Sequence, residues 1–477
     1  MSGWERAWNE ECGVMAVVGV PNAAEIAALG LHALQHRGQE STGVVSCDEQ
    51  GVLHAVKGIG LVSDVYRQSN LATLTGQMAI GHNRYSTSGG LTLENTQPLR
   101  VVYRGGPLAL AHNGNLTNAT ALRQGLEESG SIFQTTLDTE IFLHLIALSP
   151  TDDVAQALVE GARQVEGAYS LVVLTRERVI VMRDPHGFRP LCLGRLGDGY
   201  VVASETCALD LVGADLIREV APGELVALDP RGMRAFPALP PAEPRQHCVF
   251  EHIYFSRPDS RVFGVSVDAV RRRLGRRLAE EQPVEADVVI AVPDSSNSIA
   301  LGFSEASGIP YELALIRNHY VGRTFIQPQQ AGRDFGVRVK FNPVREILDG
   351  RRVAVVDDSI VRGTTSRKLV RLLRRAGARE VHFRVGSPPV THPCFYGIDT
   401  PSRRELIGAQ KSVAEIRDYL GVDTLGYLSL EGMLACESEP QHYCRACFTG
   451  QYPVRVDPAS GKLALEQLRR APAASGG

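Results

Sequence analysis

The feature that most constrains this chain is the run Val353-Ala354-Val355-Val356-Asp357-Asp358-Ser359-Ile360-Val361-Arg362-Gly363-Thr364-Thr365. Four apolar residues end on two adjacent acids and pass into a loop of small, hydroxylated residues. A short, continuously apolar run bounded this way predicts a strand buried on both faces, and such strands belong to parallel sheets covered by helices. Asp287 to Val292 repeats the pattern upstream, and both runs lead through a turn into a helical pattern. The second half is thereby limited to an α/β sheet whose ligands gather at the carboxyl ends of the strands.

The first half reads differently. Apolar runs at Val14 to Val20, Leu108 to Ala111, Ser170 to Leu174 and Val179 to Met182 alternate with turn residues, and helical patterns fall at Ala23 to Gln35 and Thr139 to Ala147. This predicts a layered α+β domain. Between the halves lies Phe236-Pro237-Ala238-Leu239-Pro240-Pro241-Ala242-Glu243-Pro244, whose prolines oppose helix interiors and central strands and predict a linker. The expected organisation is a leader over 1–11, a first domain over 12–235, a linker over 236–246, a second domain over 247–460 and a tail over 461–477. The last seven residues, Ala471 to Gly477, are small and polar enough to be disordered.

A chain of 477 residues, 44% of them hydrophobic, can fill the cores of two or three such domains. Its formal charge of -3 offers no field for nucleic acid, and the cluster Arg271-Arg272-Arg273 with Arg276-Arg277 reads as a solvated helix face. No apolar run reaches the roughly 20 residues that span a bilayer, and Met1 to Glu11 is polar and acidic. The cytoplasm is the expected compartment. Nine cysteines, unevenly placed, are too few for a disulfide scaffold and point instead to catalytic or metal-binding roles.

Cys12 stands at the start of the first expected strand, behind eleven residues with no evident place in the fold. If that leader is removed, the α-amino group of Cys12, with an ordinary pKa near 8, becomes available as general base for its own thiol. By itself a cysteine near a terminus is more often a small buried hydrophobe. Four further motifs change its weight: Leu34-Gln35-His36-Arg37-Gly38-Gln39-Glu40-Ser41, Gly81-His82-Asn83-Arg84-Tyr85-Ser86-Thr87, Ala111-His112-Asn113-Gly114-Asn115-Leu116 and Asp138-Thr139-Glu140. In order and spacing they resemble the glutaminase domain of N-terminal-nucleophile amidotransferases, an αββα sandwich, over roughly Cys12 to Leu228. The chemistry suits free glutamine: Arg84 can fork onto the α-carboxylate and Asp138 can hold the α-ammonium. Asn113 and the Gly114 amide can donate to the oxyanion formed when the thiolate attacks, although Asn-Gly is also the commonest type I′ hairpin signal. By the same resemblance, Arg37 and Tyr85 sense the glutamine and close over it.

The run from Val353 to Thr365 resembles the phosphoribosyl pyrophosphate signature of type I phosphoribosyltransferases. Asp357 and Asp358 can accept from two ribose hydroxyls or help hold Mg²⁺, while Ser359, Arg362, Gly363, Thr364 and Thr365 cradle the 5′-phosphate at a helix start. A paired Asp-Asp after a strand can also be a mere helix cap. Val292-Pro293-Asp294-Ser295-Ser296 matches the pyrophosphate loop, with Ser296 where glycine is usual; the resemblance brings Pro293, Asp294 and Ser295 to the substrate and Ser295 to Mg²⁺. Arg317-Asn318-His319-Tyr320-Val321-Gly322-Arg323-Thr324-Phe325-Ile326 and the stretch to Lys340 resemble the mobile loop that closes over the site, with Arg323 on the substrate. Closure would keep ammonia unprotonated between two sites. Otherwise the stretch is an ordinary long surface loop.

By spacing alone, Cys444-x-x-Cys447 is equally a redox dithiol or part of a zinc site. The contexts around Cys248, Cys394, Cys444 and Cys447 resemble the amidophosphoribosyltransferases that carry one [4Fe-4S] cluster on four thiolates. Cys47, Cys192, Cys207 and Cys436 have no matching role. The whole resemblance, from Cys12 to about Pro453, implies the first committed step of purine synthesis. Glutamine and phosphoribosyl pyrophosphate are the substrates, purine nucleotides the feedback inhibitors, and the assembly a homotetramer, with no part for nucleic acid or membrane. Two rivals are the same glutaminase joined to another synthase, as in glucosamine-6-phosphate or asparagine synthesis, and a phosphoribosyl-binding regulator without activity. The Asp357 to Thr365 run argues against the first, and Cys12 with its glutamine-binding set against the second.

Overall fold

A computed structural model describes residues 12–85, 90–318, 341–400 and 402–456, together with Leu465. The first half builds two antiparallel sheets. One has the spatial order Asp215–Glu219, Cys192–Leu196, Gly199–Ala203, Gly13–Val18, Met78–Arg84, Ser41–Cys47, Leu53–Ile59. The other runs Gly232–Pro237, Glu224–Asp229, Val179–Arg183, Gly167–Leu174, Gly106–Leu116, Leu99–Tyr103.

Strand periodicity explains the layering. Val14, Ala16 and Val18 point toward Ala109, Ala111, Val172 and Leu174 of the other sheet. Met15 and Val17 point the opposite way, onto the helices Ala23–Ala33 and Thr206–Val212. On the far side, Leu108, Leu110, Leu171 and Val173 pack under the helices Thr139–Leu148 and Val154–Ala162. Helix, sheet, sheet, helix is the expected αββα sandwich. Leu465 is buried in that last core, so the expected tail contributes to it, while Ala471 to Gly477 lie outside the described residues.

In the second half Val288–Ala291, Arg352–Asp357, Glu380–Val385 and Thr424–Tyr427 form a parallel sheet in that order. Val353 and Val355 face Leu369 and Leu373 of the helix Thr364–Arg375, and Ala354 and Val356 face the helices Val267–Glu281 and Asn297–Ser307. Of the segment expected as a linker, Phe236 and Pro237 finish an edge strand and Leu239 is buried in the first domain. An edge strand tolerates the proline because its missing N–H is on the unpaired side. No helix among the described residues is long and apolar enough to cross a membrane.

One sequence expectation fails here. Arg271 is buried rather than solvated, donating to the carbonyls of His252 and Ser256, both at 2.8 Å. The other arginines of the run do reach solvent, where Arg272 and Arg276 share Glu305 and Arg277 pairs with Glu280 and Glu281. Two glycines let these helices cross with backbones in contact. A Cβ on Gly275 would stand 1.9 Å from the Ile299 carbonyl oxygen, and one on Gly302 would stand 2.1 Å from that of Arg272. Gly302→Ala should therefore force the helices apart and cost about 3 kcal/mol, read as a lower urea midpoint at unchanged slope.

Candidate active site

Sheet register assembles the first cleft. Gly13 lies opposite Asn83, which brings Cys12 beside Arg84 and Tyr85 at the end of the neighbouring strand. Cys12 is 5% exposed, and its thiol donates to the Tyr85 carbonyl at 3.4 Å. The other sheet contributes His112 and Gly114, and Asp138 immediately precedes the helix Thr139–Leu148. Asp138 accepts from the Leu116 amide at 2.9 Å, and His112 Nδ1 stands 3.7 Å from its Oδ1. Cys12, Arg84, Tyr85, Gln97, His112, Gly114, Leu137, Asp138 and Thr139 line a single cleft.

Asn113 and Gly114 sit within a long strand rather than a turn, opposite Ser170 and Tyr169. A Cβ on Gly114, at φ +150°, would stand 2.0 Å from the Ala168 carbonyl oxygen, so only glycine permits the strand pair. The buried Oδ1 and Nδ2 of Asn113 both lack a hydrogen-bond partner among the described residues. An unpartnered buried amide costs about 1–3 kcal/mol, and such a cost beside a cleft is characteristic of a group reserved for a ligand. Arg37 departs from expectation: it lies behind Cys12, fully buried, donating through Nε to the Cys12 carbonyl at 3.1 Å. Gln97 and His112 line the cleft without having been singled out, although His112 falls inside a quoted motif. The Gln97 side chain accepts from the His112 amide at 2.8 Å and so ties these two together.

The second site lies where the strands Val288–Ala291 and Arg352–Asp357 end. Ser295 Oγ donates to Asp358 Oδ2 at 2.6 Å, and Ser359 Oγ to Asp358 Oδ1 at 2.5 Å. Ser296 Oγ lies 3.3 Å from both Asp357 Oδ1 and Asp358 Oδ2, so the departure from glycine places a hydroxyl between the acids. Both carboxyls are buried. Burial and then the neighbouring Asp358 push Asp357 well above the usual carboxylate range, and burial also raises Asp358 against its serine hydrogen bonds and Arg271. Two acids held this way have a strong electrostatic demand for a cation.

Gly363, at φ +73°, caps the helix Thr364–Arg375 and adds no side chain to its N-terminus, leaving the first amides open to an anion. Arg362 pairs with Glu405 at 3.0 Å and Asp294 with Arg317 at 2.5 Å. Pro293 joins Asp294 through a cis peptide. Arg323 and the rest of the expected closing loop over 319–340 lie outside the described residues, as do the leader and Ser86-Thr87.

The model of a "Glutamine amidotransferase domain" family matches residues 82–211. Amidophosphoribosyltransferase 2, chloroplastic, of Arabidopsis thaliana is 54% identical over 94% of this chain and 80% of its own length. The amidophosphoribosyltransferase of Bacillus subtilis (strain 168) is 52% identical over 94% of this chain and 95% of its own. This chain belongs to the amidophosphoribosyltransferase family. The solved B. subtilis glutamine phosphoribosylpyrophosphate amidotransferase, complexed with ADP and GMP, superposes with a TM-score of 0.89 at 50% identity, covering 94% of this chain and 98% of that one. An amidophosphoribosyltransferase needs a glutaminase and a phosphoribosyltransferase on one chain, and the two sites above lie on those two folds.

Four of the five cysteines of the second half, Cys248, Cys394, Cys444 and Cys447, also lie near one another. His247–Cys248 and Tyr443–Cys444 pair in parallel with Cys248 opposite Cys444. The Tyr396 amide donates to Cys394 Sγ at 3.3 Å. Burial raises the Cys447 thiol far above its usual range, helped by the nearness of Cys444, Cys248 and Cys394. Among the described residues no three His, Cys, Asp or Glu side chains approach closely enough to hold a single metal ion. Cys47, Cys192, Cys207 and Cys436 are buried thiols packed in hydrophobic cores.

Proposed function

We propose that Cys12 and the Asp357–Asp358 pair carry the two half-reactions of this amidophosphoribosyltransferase, the first producing the ammonia that the second consumes. With residues 1–11 removed, the Cys12 amino group takes the thiol proton. The thiolate attacks the glutamine side-chain carbonyl, with Asn113 and the Gly114 amide holding the oxyanion and Arg84 and Asp138 the α-substituents. The C–N bond breaks, ammonia leaves with the returned proton, and water hydrolyses the thioester to glutamate. Ammonia then attacks carbon 1 of phosphoribosyl pyrophosphate, and the C–O bond to pyrophosphate breaks to give phosphoribosylamine.

The observation that carries this reading is the buried Asn113 amide, unpartnered among the described residues and flanked in sequence by the cleft-lining His112 and Gly114, in a chain that also holds the two buried acids at a strand end. Asp357, Asp358 and Ser295 would hold Mg²⁺, which would offset the charge of the pyrophosphate; their raised carboxyls suit it. Pro293, Asp294, Ser359, Arg362, Gly363, Thr364, Thr365 and Arg323 complete the phosphoribosyl site. Passage of ammonia between the sites is supported by close contact of the two halves next to the cleft. Asn115 Nδ2 donates to the Phe395 carbonyl at 3.0 Å, and a Cβ on Gly397 would stand 3.0 Å from Gly114 Cα.

Cys248, Cys394, Cys444 and Cys447 would hold a [4Fe-4S] cluster, one thiolate to each corner. Such a cluster would tie segments distant in sequence and take no redox part in the reaction. Residues 12–235 and 247–460 form the two functional units in this reading. Purine nucleotides act as inhibitors, in keeping with the ADP and GMP bound by the B. subtilis relative. The homotetramer and the cytoplasm belong to the same reading, and nine cysteines, too few for a disulfide scaffold in a chain of this length, suit a reducing compartment. Glutamate release should rise several-fold when phosphoribosyl pyrophosphate and Mg²⁺ are added, with pyrophosphate appearing in step. Release indifferent to the sugar phosphate, without pyrophosphate, would leave a glutaminase with some other acceptor.

A further inference from the structure

Behind Cys12 lies a buried quartet of charges that the reaction above does not use. Arg37 forks onto Glu251, Nη1 to Oε2 at 2.9 Å and Nη2 to Oε1 at 2.7 Å, and Nη1 also reaches Glu205 Oε1 at 2.6 Å. Arg189 Nη1 lies 3.4 Å from Glu251 Oε1. All four side chains are fully excluded from water. Two arginines and two glutamates leave no net charge, which is what allows the group to be buried. Burial pushes Glu205 up, but His36 and Arg37 outweigh it and hold the carboxyl at about 2.

Three members come from the first half of the chain. Glu251 alone comes from the second, at the start of the π-helical segment Glu251–Phe255. We infer that Glu251 is a positioning residue of the cysteine site: it fixes Arg37, and Arg37 in turn fixes the backbone of Cys12. A buried ion pair is weak ground for stability, because well-packed apolar residues often serve as well. What it does supply is a fixed geometry. A nucleophile displaced by about 1 Å loses on the order of a hundredfold in rate, so holding the Cys12 carbonyl bears directly on attack.

The connection runs on toward the other site. Glu251 Oε2 accepts from Ser256 Oγ at 2.6 Å, and the Ser256 carbonyl accepts from Arg271 Nη2 at 2.8 Å. Arg271 and Asp358 feel one another's charge. A buried chain of hydrogen bonds therefore joins Arg271, Ser256, Glu251, Arg37 and Cys12, and Arg271 extends its charge, without a hydrogen bond, toward Asp358. Filling the phosphoribosyl site bears on the cysteine through it. The inference rests on reading Cys12 as the glutamine nucleophile.

The test uses the full chain, purified without oxygen, as wild type, Glu251→Gln and Ser256→Ala. Glutamine-dependent and ammonia-dependent synthesis are measured, together with glutaminase activity with and without phosphoribosyl pyrophosphate and Mg²⁺. Glu251→Gln should lower kcat for glutamine about a hundredfold, with KM for glutamine within about threefold and ammonia-dependent synthesis within about twofold. Ser256→Ala should cut the stimulation of the glutaminase by the sugar phosphate about fivefold and leave ammonia-dependent synthesis unchanged. Parallel loss of both syntheses in a folded Glu251→Gln, or a rise in KM with kcat unchanged, would overturn the inference. Should Glu251→Gln fail to fold, Ser256→Ala decides, and wild-type stimulation in it is an overturning result. A wild type lacking glutaminase activity and glutamine-dependent synthesis would instead strike the reading of Cys12.

Discussion

Cys12→Ala should lower glutamine-dependent synthesis at least about a thousandfold while leaving ammonia-dependent synthesis within about twofold of wild type. Among the described residues that line the first cleft, Cys12 alone carries a sulfur, so none of the others can form the thioester. The substitution removes a single buried sulfur whose hydrogen bond goes to the Tyr85 carbonyl, so the sandwich keeps its packing. The asymmetry between nitrogen sources is the informative quantity. A variant that stayed folded yet lost both would show that the sites are not chemically separate.

Asp358→Asn should have the complementary effect, lowering synthesis from either nitrogen source by about a hundredfold to a thousandfold. Asp358 accepts from Ser295 and Ser359 and shares the Ser296 hydroxyl with Asp357. An amide there removes the charge that would attract a cation and turns one acceptor into a donor facing a serine. Basal glutamine hydrolysis should survive, but without stimulation by phosphoribosyl pyrophosphate. Pyrophosphate release measured with ammonia as the nitrogen source gives the comparison, and an unaltered rate would remove Asp358 from the site.

Most of the fold was legible because its strands are buried on both faces. Val14 to Val18 and Val353 to Val356 are apolar without interruption, and each is covered on both sides. The place of Asp357 and Asp358 was legible for a related reason, since the uninterrupted apolar run that marks the buried strand ends on them. Asn113-Gly114 shows where local signals mislead. The dipeptide favours a hairpin turn, but pairing along Gly106–Leu116 overrides it, and the glycine is needed for the approach of Ala168. Arg271 reads as one more surface arginine of a charged helix, because its partners are carbonyls of a folded segment that no pattern reveals. Arg37 was placed at the glutamine by resemblance. Its place behind Cys12 depends on Glu205 and Glu251, which are 168 and 214 residues away in sequence.

The central claim is that nitrogen passes from the Cys12 site to the phosphoribosyl site of the same chain. It is tested most directly by supplying glutamine labelled with ¹⁵N in the side-chain amide, together with phosphoribosyl pyrophosphate, Mg²⁺ and unlabelled ammonia, and measuring the isotope in phosphoribosylamine. The account predicts product that keeps most of the label while ammonia in solution remains unlabelled. Label diluted to the level of the free ammonia pool would show that the two sites work independently and would contradict it.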